Sequence, residues 1–172
     1  MISMQIQNAQ AVEAALKKFE SKISKKIVRE AVKDAWTPLL KLSKSNARNL
    51  SGTRRKGVKK VTRIGPRIAK ALKLKPFRKQ RPGQYGMYVA IDPNQADQFI
   101  VISKSGQRNY IPAAIEYGHA FPGRGQGPGG HAPKDVEAKP FMRPALDATL
   151  PKAPAIFKTH LMRAIREENM KR

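Results

Sequence analysis

In 172 residues the chain carries 35 Lys and Arg against 12 Asp and Glu, a formal charge of +23, and it has no cysteine. Disulfides, thiol catalysis and Cys-based zinc sites are excluded, and the counterparts of so basic a chain are polyanions or acidic protein surfaces. The start, Met1 to Gln5, lacks a signal pattern and no apolar run approaches the roughly 18 residues of a membrane span, so a soluble protein made in the cytoplasm is expected. The length suits one α+β domain over 1–172, with a helical arm (1–47), a basic segment (48–84), and a sheet, Gly-rich loop and carboxy-terminal helices (85–172).

Apolar residues at Val12, Leu16, Phe19, Ile23, Ile27, Ala31 and Ala35, then Leu39 and Leu42, recur in three- and four-residue steps. They predict a long amphipathic helix whose stripe faces a packed surface. Lys17, Lys18, Lys25, Lys26 and Lys33 lie mostly off that stripe, and Pro38 predicts a bend or break near Trp36, giving one kinked helix or two. Leu50 to Gly57 has no periodicity and reads as a basic loop. Val58 to Ile64 alternates weakly, as a strand would, and Pro66 to Leu74 reads as a short helix.

Between Asp34 and Asp92 there are 16 basic residues and no acidic one. Such a stretch repels itself unless it meets nucleic acid or an acidic protein surface. Arg54, Arg55, Lys56, Lys59, Lys60, Arg63 and Arg67 are the expected contact residues. Phe77 is the one Phe or Tyr from Lys41 to Arg81, so any nucleic acid would be held by its backbone rather than by stacked bases.

Tyr85 to Ile91 and Gln98 to Ser103 are β-rich runs separated by Asp92-Pro93-Asn94, which predicts an antiparallel hairpin as the sheet core. Tyr110 to Tyr117 is a third apolar stretch, helical or extended, leading into Gly118. Phe121 to Gly130 is too rich in Gly and Pro for regular structure and reads as a flexible loop.

No catalytic, cofactor or metal site is expected. The Gly-rich loop is not followed by Gly-Lys-Ser/Thr, and after Gly52 to Gly57 a P-loop's Lys and Ser/Thr positions hold Val58 and Lys59. His119, His131 and His160 lack helical metal-site spacing, and no carboxylate cluster surrounds Glu116, His119 and Asp135. Glu116 reads instead as a structural carboxylate that pairs with an Arg on its own or an adjacent subunit.

In Pro140-Phe141-Met142-Arg143-Pro144-Ala145-Leu146-Asp147 the prolines permit a helix only from about Arg143 or Pro144, with Phe141 and Met142 placed to staple the chain onto a core. A second helix is expected from about Pro154 to Met170, with local pairing of Arg163 and Arg166 to Glu167 and Glu168.

The combination of Glu116-Tyr117-Gly118, a Gly/Pro-rich loop, Pro140 to Asp147 and a closing helix resembles the neck and tail-completion proteins of tailed bacteriophages, the minor tail or head-tail joining family. The amphipathic amino-terminal helix and Gly52-Thr53-Arg54 are similar to that family's layout; the long basic stretch and extended Gly-rich loop depart from it. The resemblance implies a non-enzymatic virion protein forming a ring, a homohexamer on a sixfold tail, between head-closure or adaptor proteins and tail-tube or terminator proteins. Double-stranded DNA in the channel is a further expected partner, and Glu116, Tyr117, Gly118, Phe141, Arg143 and Pro144 would be the structural and assembly residues. The alternative is a free, non-sequence-specific nucleic-acid-binding protein, ribosomal or nucleoid-like.

Overall fold

The computed structural model describes residues 21–50, 64–77, 85–103, 106–121 and 134–171. The chain is α+β, as expected: a long helix near the amino terminus, short strands in pairs, and helices at the carboxy end. Its elements are α1 (Ser21–Arg48), α2 (Ile64–Ala71), β1 (Leu72–Pro76), β2 (Met87–Ile91), β3 (Ile100–Ile102), β4 (Arg108–Tyr110), α3 (Ile111–Tyr117), β5 (His119–Phe121), β6 (Lys134–Val136), α4 (Arg143–Thr149) and α5 (Ala153–Met170). They distribute over two compact units, one of residues 1–41, 73–90 and 146–172, the other of residues 42–72 and 91–145.

In the first unit, Ile27, Ala31 and Ala35 keep the four-residue step of the predicted stripe and are buried with Val32. They form one core with Phe157, Leu161 and Ile165, which repeat at the same step on α5. Alanines opposite a phenylalanine let large and small side chains interdigitate. Lys25, Lys26 and Lys33 are exposed, off the stripe. Of the two outcomes expected at Pro38, the chain adopts the single helix, and the Thr37 hydroxyl donates to the Lys33 carbonyl at 2.8 Å one residue before the proline. Burial of Ala35 and Leu39 on either side holds the element through the missing amide. The earlier positions of the stripe, Val12, Leu16 and Phe19, lie outside the described residues.

The predicted hairpin of 85–91 with 98–103 is not formed. Met87–Ile91 pairs with Leu72–Pro76 instead, so the expected helix over 66–74 runs Ile64–Ala71 and gives way to a strand. The Phe77 amide donates to the Gly86 carbonyl (3.1 Å) and the Asp92 amide to the Ala71 carbonyl (2.8 Å), an order that makes the pair antiparallel. Asp92-Pro93-Asn94 does turn the chain, but into two successive 3₁₀ turns, Pro93–Gln95 and Asp97–Phe99. Asp92 Oδ1 accepts from the Asn94 amide, and the second turn ends by burying Phe99 completely.

Ile100–Ile102 then pairs with Arg108–Tyr110, in register Ile100 to Tyr110 and Ile102 to Arg108. The local signal for this hairpin is the Ser-Gly pair before Gln107. The Ser103 amide donates to the Gln107 carbonyl, the Ser103 hydroxyl accepts from the Gln107 amide, and Gly106 takes φ +78. The open choice at 110–117 resolves into a strand end followed by a helix with Pro112 in its first turn. At the carboxy end the helices start where predicted, at Arg143 and beside Pro154. Arg163 and Glu167 approach to 3.8 Å on the exposed face, while Glu168 pairs with Lys171.

In the second unit Ser43 is fully buried and its hydroxyl has no hydrogen-bond partner among the described residues. A hydroxyl desolvated without a partner is a cost that alanine removes. Ser43→Ala is expected to leave stability unchanged or raise it by up to about 1 kcal/mol, read as an upward shift of the urea midpoint; a fall of that size would reveal a bond to the hydroxyl.

Candidate functional site

The two segments that carry the family resemblance meet. Glu116, near the end of α3, is 4% exposed, and its carboxylate faces the start of α4. One oxygen accepts the amides of Phe141 (2.8 Å) and Met142 (3.0 Å); the other accepts the amide of Arg143 (3.0 Å). These are amides at a helix start, which have no intrahelical acceptor, and Pro144 removes one more donor from the same turn. The partial positive end of the turn and the carboxylate charge match, so each bond is charge-assisted.

Arg143 closes the arrangement from outside. Its Nε stands 3.4 Å from the Glu116 carboxylate and its Nη2 donates to the Glu116 carbonyl. The guanidinium lies over the Tyr117 ring, 5.0 Å from the centroid. The predicted carboxylate–arginine pair is therefore made within one chain. Three further ties hold the clamp: Phe141 is buried as an anchor, the Asn46 amide group donates to the Phe141 carbonyl (3.1 Å), and the Lys139 amide donates to the Ile115 carbonyl (2.8 Å). Met142 is only partly buried, so Phe141 does the anchoring.

Gly118 ends α3 at φ +75 and ψ 173, a conformation essentially confined to glycine. A Cβ there would stand 2.7 Å from the Val136 carbonyl oxygen and 3.1 Å from the Ala138 amide nitrogen. The glycine thus lets the chain leave the helix and run into β5, which pairs with β6 in register His119 to Val136. Glu116, Tyr117 and Gly118 play three parts in one turn: cap, exposed aromatic support and reversal.

The predicted contact residues of the basic segment are placed differently. Arg54, Arg55, Lys56, Lys59, Lys60 and Arg63 lie outside the described residues, as do Gly52-Thr53 and the Gly-rich stretch after Phe121. Arg67 is described: it is exposed on α2, bonded to the Gln98 side chain at 3.1 Å and poised over the Phe99 ring. Asn46 and the three amides are the participants that sequence reading missed. Asn46 carried no signal because its partner is 95 residues away.

Tyr110, which precedes α3, has its phenol raised above the ordinary tyrosine value by desolvation, and so stays neutral well past physiological pH. Among the described residues no three His, Asp or Glu side chains gather as metal ligands, and no helix is long and apolar enough to cross a membrane. No family model, curated protein or solved structure matches the chain.

Glu116→Ala leaves the buried Phe141 amide and the part-buried Met142 and Arg143 amides without their acceptor and is expected to cost about 2 to 4 kcal/mol, whereas Glu116→Gln, which keeps one acceptor oxygen, should cost less, about 1 to 2 kcal/mol. Paired urea titrations read the difference, and equal small losses would remove the clamp from the account. Gly118→Ala should lose about 1 to 3 kcal/mol from its backbone conformation alone, while Tyr117→Phe, which keeps the ring under Arg143, should lose almost nothing in the same assay.

Proposed function

We propose that this chain is a structural virion protein that forms a ring at the head-tail junction of a tailed bacteriophage, as a neck or tail-completion component joining head to tail. The observation that carries this reading is the Glu116 clamp. The two segments resembling the joining family form one hydrogen-bonded unit, with Tyr117 and Arg143 on its exposed side.

The charge supports the same role. A ring around or beside the DNA channel needs cations that hold phosphates without reading bases, and the acid-free stretch between Asp34 and Asp92 supplies them. Subunit contacts have candidate material in the second unit, where Val101, Ile102, Tyr117 and Val136 are exposed apolar side chains on short strand pairs and a helix end. A repeated head-to-tail contact closes into a ring, here a homohexamer on a sixfold tail. Its neighbours would be head-closure or adaptor proteins on one side and tail-tube or terminator proteins on the other. Assembly would take place in the host cytoplasm, and the mature location would be the virion. No catalytic step is assigned to the chain.

The same 16 unbalanced cations favour one second reading, a free nucleic-acid-binding protein that holds the duplex backbone. The two part in the cell and in the tube. Electron microscopy after deletion of the gene should show filled heads and finished tails lying unjoined, or tails of uncontrolled length if the protein terminates them. Normal infectious particles, with steeply salt-dependent binding of any duplex by the purified chain, would replace the virion reading by the second one.

A further inference from the structure

The first unit holds a groove of about 420 Å³. Among the described residues, Arg29 and Val32 of α1 line one side, and Pro76 and Phe77 at the end of β1 line it with Tyr85, Gly86 and Met87. Tyr85 and Met87 rest on the core of Ile27, Ala31 and Phe157, which makes the floor firm. Phe77 is 51% exposed, unusual for a phenylalanine, and its ring stacks on Tyr88 at 5.3 Å between centroids. Gly86 sets its position: a Cβ there would meet the Phe77 ring at 2.5 Å, so the bare backbone is what lets the ring lie along the groove.

Among the described residues the one charged side chain lining the groove is Arg29. The Arg29 guanidinium lies 5.8 Å from the Tyr85 ring centroid, and among the described residues no carboxylate stands within ion-pair distance of it. Arg29 also borders a second depression, of about 450 Å³, with Lys25, Lys26 and Glu30. Lys25, Arg29 and Lys33 follow one another at four-residue spacing, a row of cations about 6 Å apart along the helix.

We propose that this groove docks an acidic segment of a partner protein through one aromatic or large aliphatic anchor seated between Phe77 and Tyr85. The acidic side chains flanking the anchor would lie along the row of Lys25, Arg29 and Lys33. Charge complementarity selects the sign of the partner, and the apolar lining selects its class. Duplex DNA has phosphates for the row but presents nothing to fill an apolar groove, and a single strand would want successive stacking faces, whereas Phe77 already gives one of its faces to Tyr88. An acidic segment with an apolar anchor satisfies both features. The proposal does not rest on the virion reading, whose test concerns particles and is independent of the one below.

The full chain is titrated with a labelled peptide of alternating Asp and Glu carrying one central Phe, with its counterpart carrying Ala in that place, and with a duplex. The Phe peptide should bind about tenfold or more tightly than the Ala peptide, the preference expected for burying one aromatic side chain. Gly86→Val, whose Cβ would displace the Phe77 ring, and Phe77→Ser, at a half-exposed position, should each remove that preference and leave the weak charge-driven binding of both peptides. Arg29→Gln should weaken both peptides together. Equal affinity for the two peptides, a Phe preference that survives both groove variants, or binding of the duplex alone would overturn the proposal.

Discussion

A single carboxylate organises the second unit. Glu116 receives three consecutive amides at the start of α4, and the neighbouring features follow from having a negative charge buried there. The amides must converge, so the chain approaching α4 is held in one path; the charge must be balanced, so Arg143 folds back over it; and α3 must stop immediately after Tyr117, so Gly118 takes a backbone conformation closed to other residues. Removing the charge while leaving the amides would cost more than the bonds themselves contribute, because the buried Phe141 amide would be left desolvated without an acceptor. That asymmetry is why a clamp of this kind reads as a constraint on shape rather than merely as a source of stability.

The arrangement also explains how so basic a chain accommodates a buried acid. An acid at the surface, such as Glu167 beside Arg163, gains little from its pairing. Glu116 is different because it is buried and its principal partners are backbone dipoles at a helix start, with the Arg143 guanidinium beside them. Arg143 is shared between the clamp and the surface: half of its side chain is exposed, and its guanidinium caps the Tyr117 ring. A partner touching this face would meet a side chain already ordered, which lowers the entropy lost on contact.

The strand pairs divide by what covers them. Two-stranded pairs are marginal by themselves and need a packed face or a neighbour. The β1–β2 pair meets this need through Val89 and Leu72, both buried, and through Tyr85 and Met87 on the helical core. The β3–β4 pair instead leaves Val101 and Ile102 in solvent. The contrast separates strands that complete a core from strands whose apolar faces remain available, and it is the latter that an assembly reading uses.

Helices were legible wherever burial acts on a local period. The stripe through Ile27, Ala31, Ala35 and Leu39, the start of α4 at the Arg143-Pro144 step and the helix beside Pro154 all follow from residues within a few positions of one another. The turn at Asp92-Pro93-Asn94 was legible too, but not what it joins: strand partners are chosen by long-range packing, and Leu72–Pro76, read as the tail of a helix, supplied the better partner for Met87–Ile91. The sequence by itself determined the charge, the absence of cysteine, the class of fold and the residue types of the clamp. Only the tertiary structure decided that Glu116 reaches three amides, that Asn46 supports them and that Phe77 and Tyr85 border a groove with Arg29, because each depends on chain segments far apart in sequence converging at hydrogen-bond or van der Waals distance.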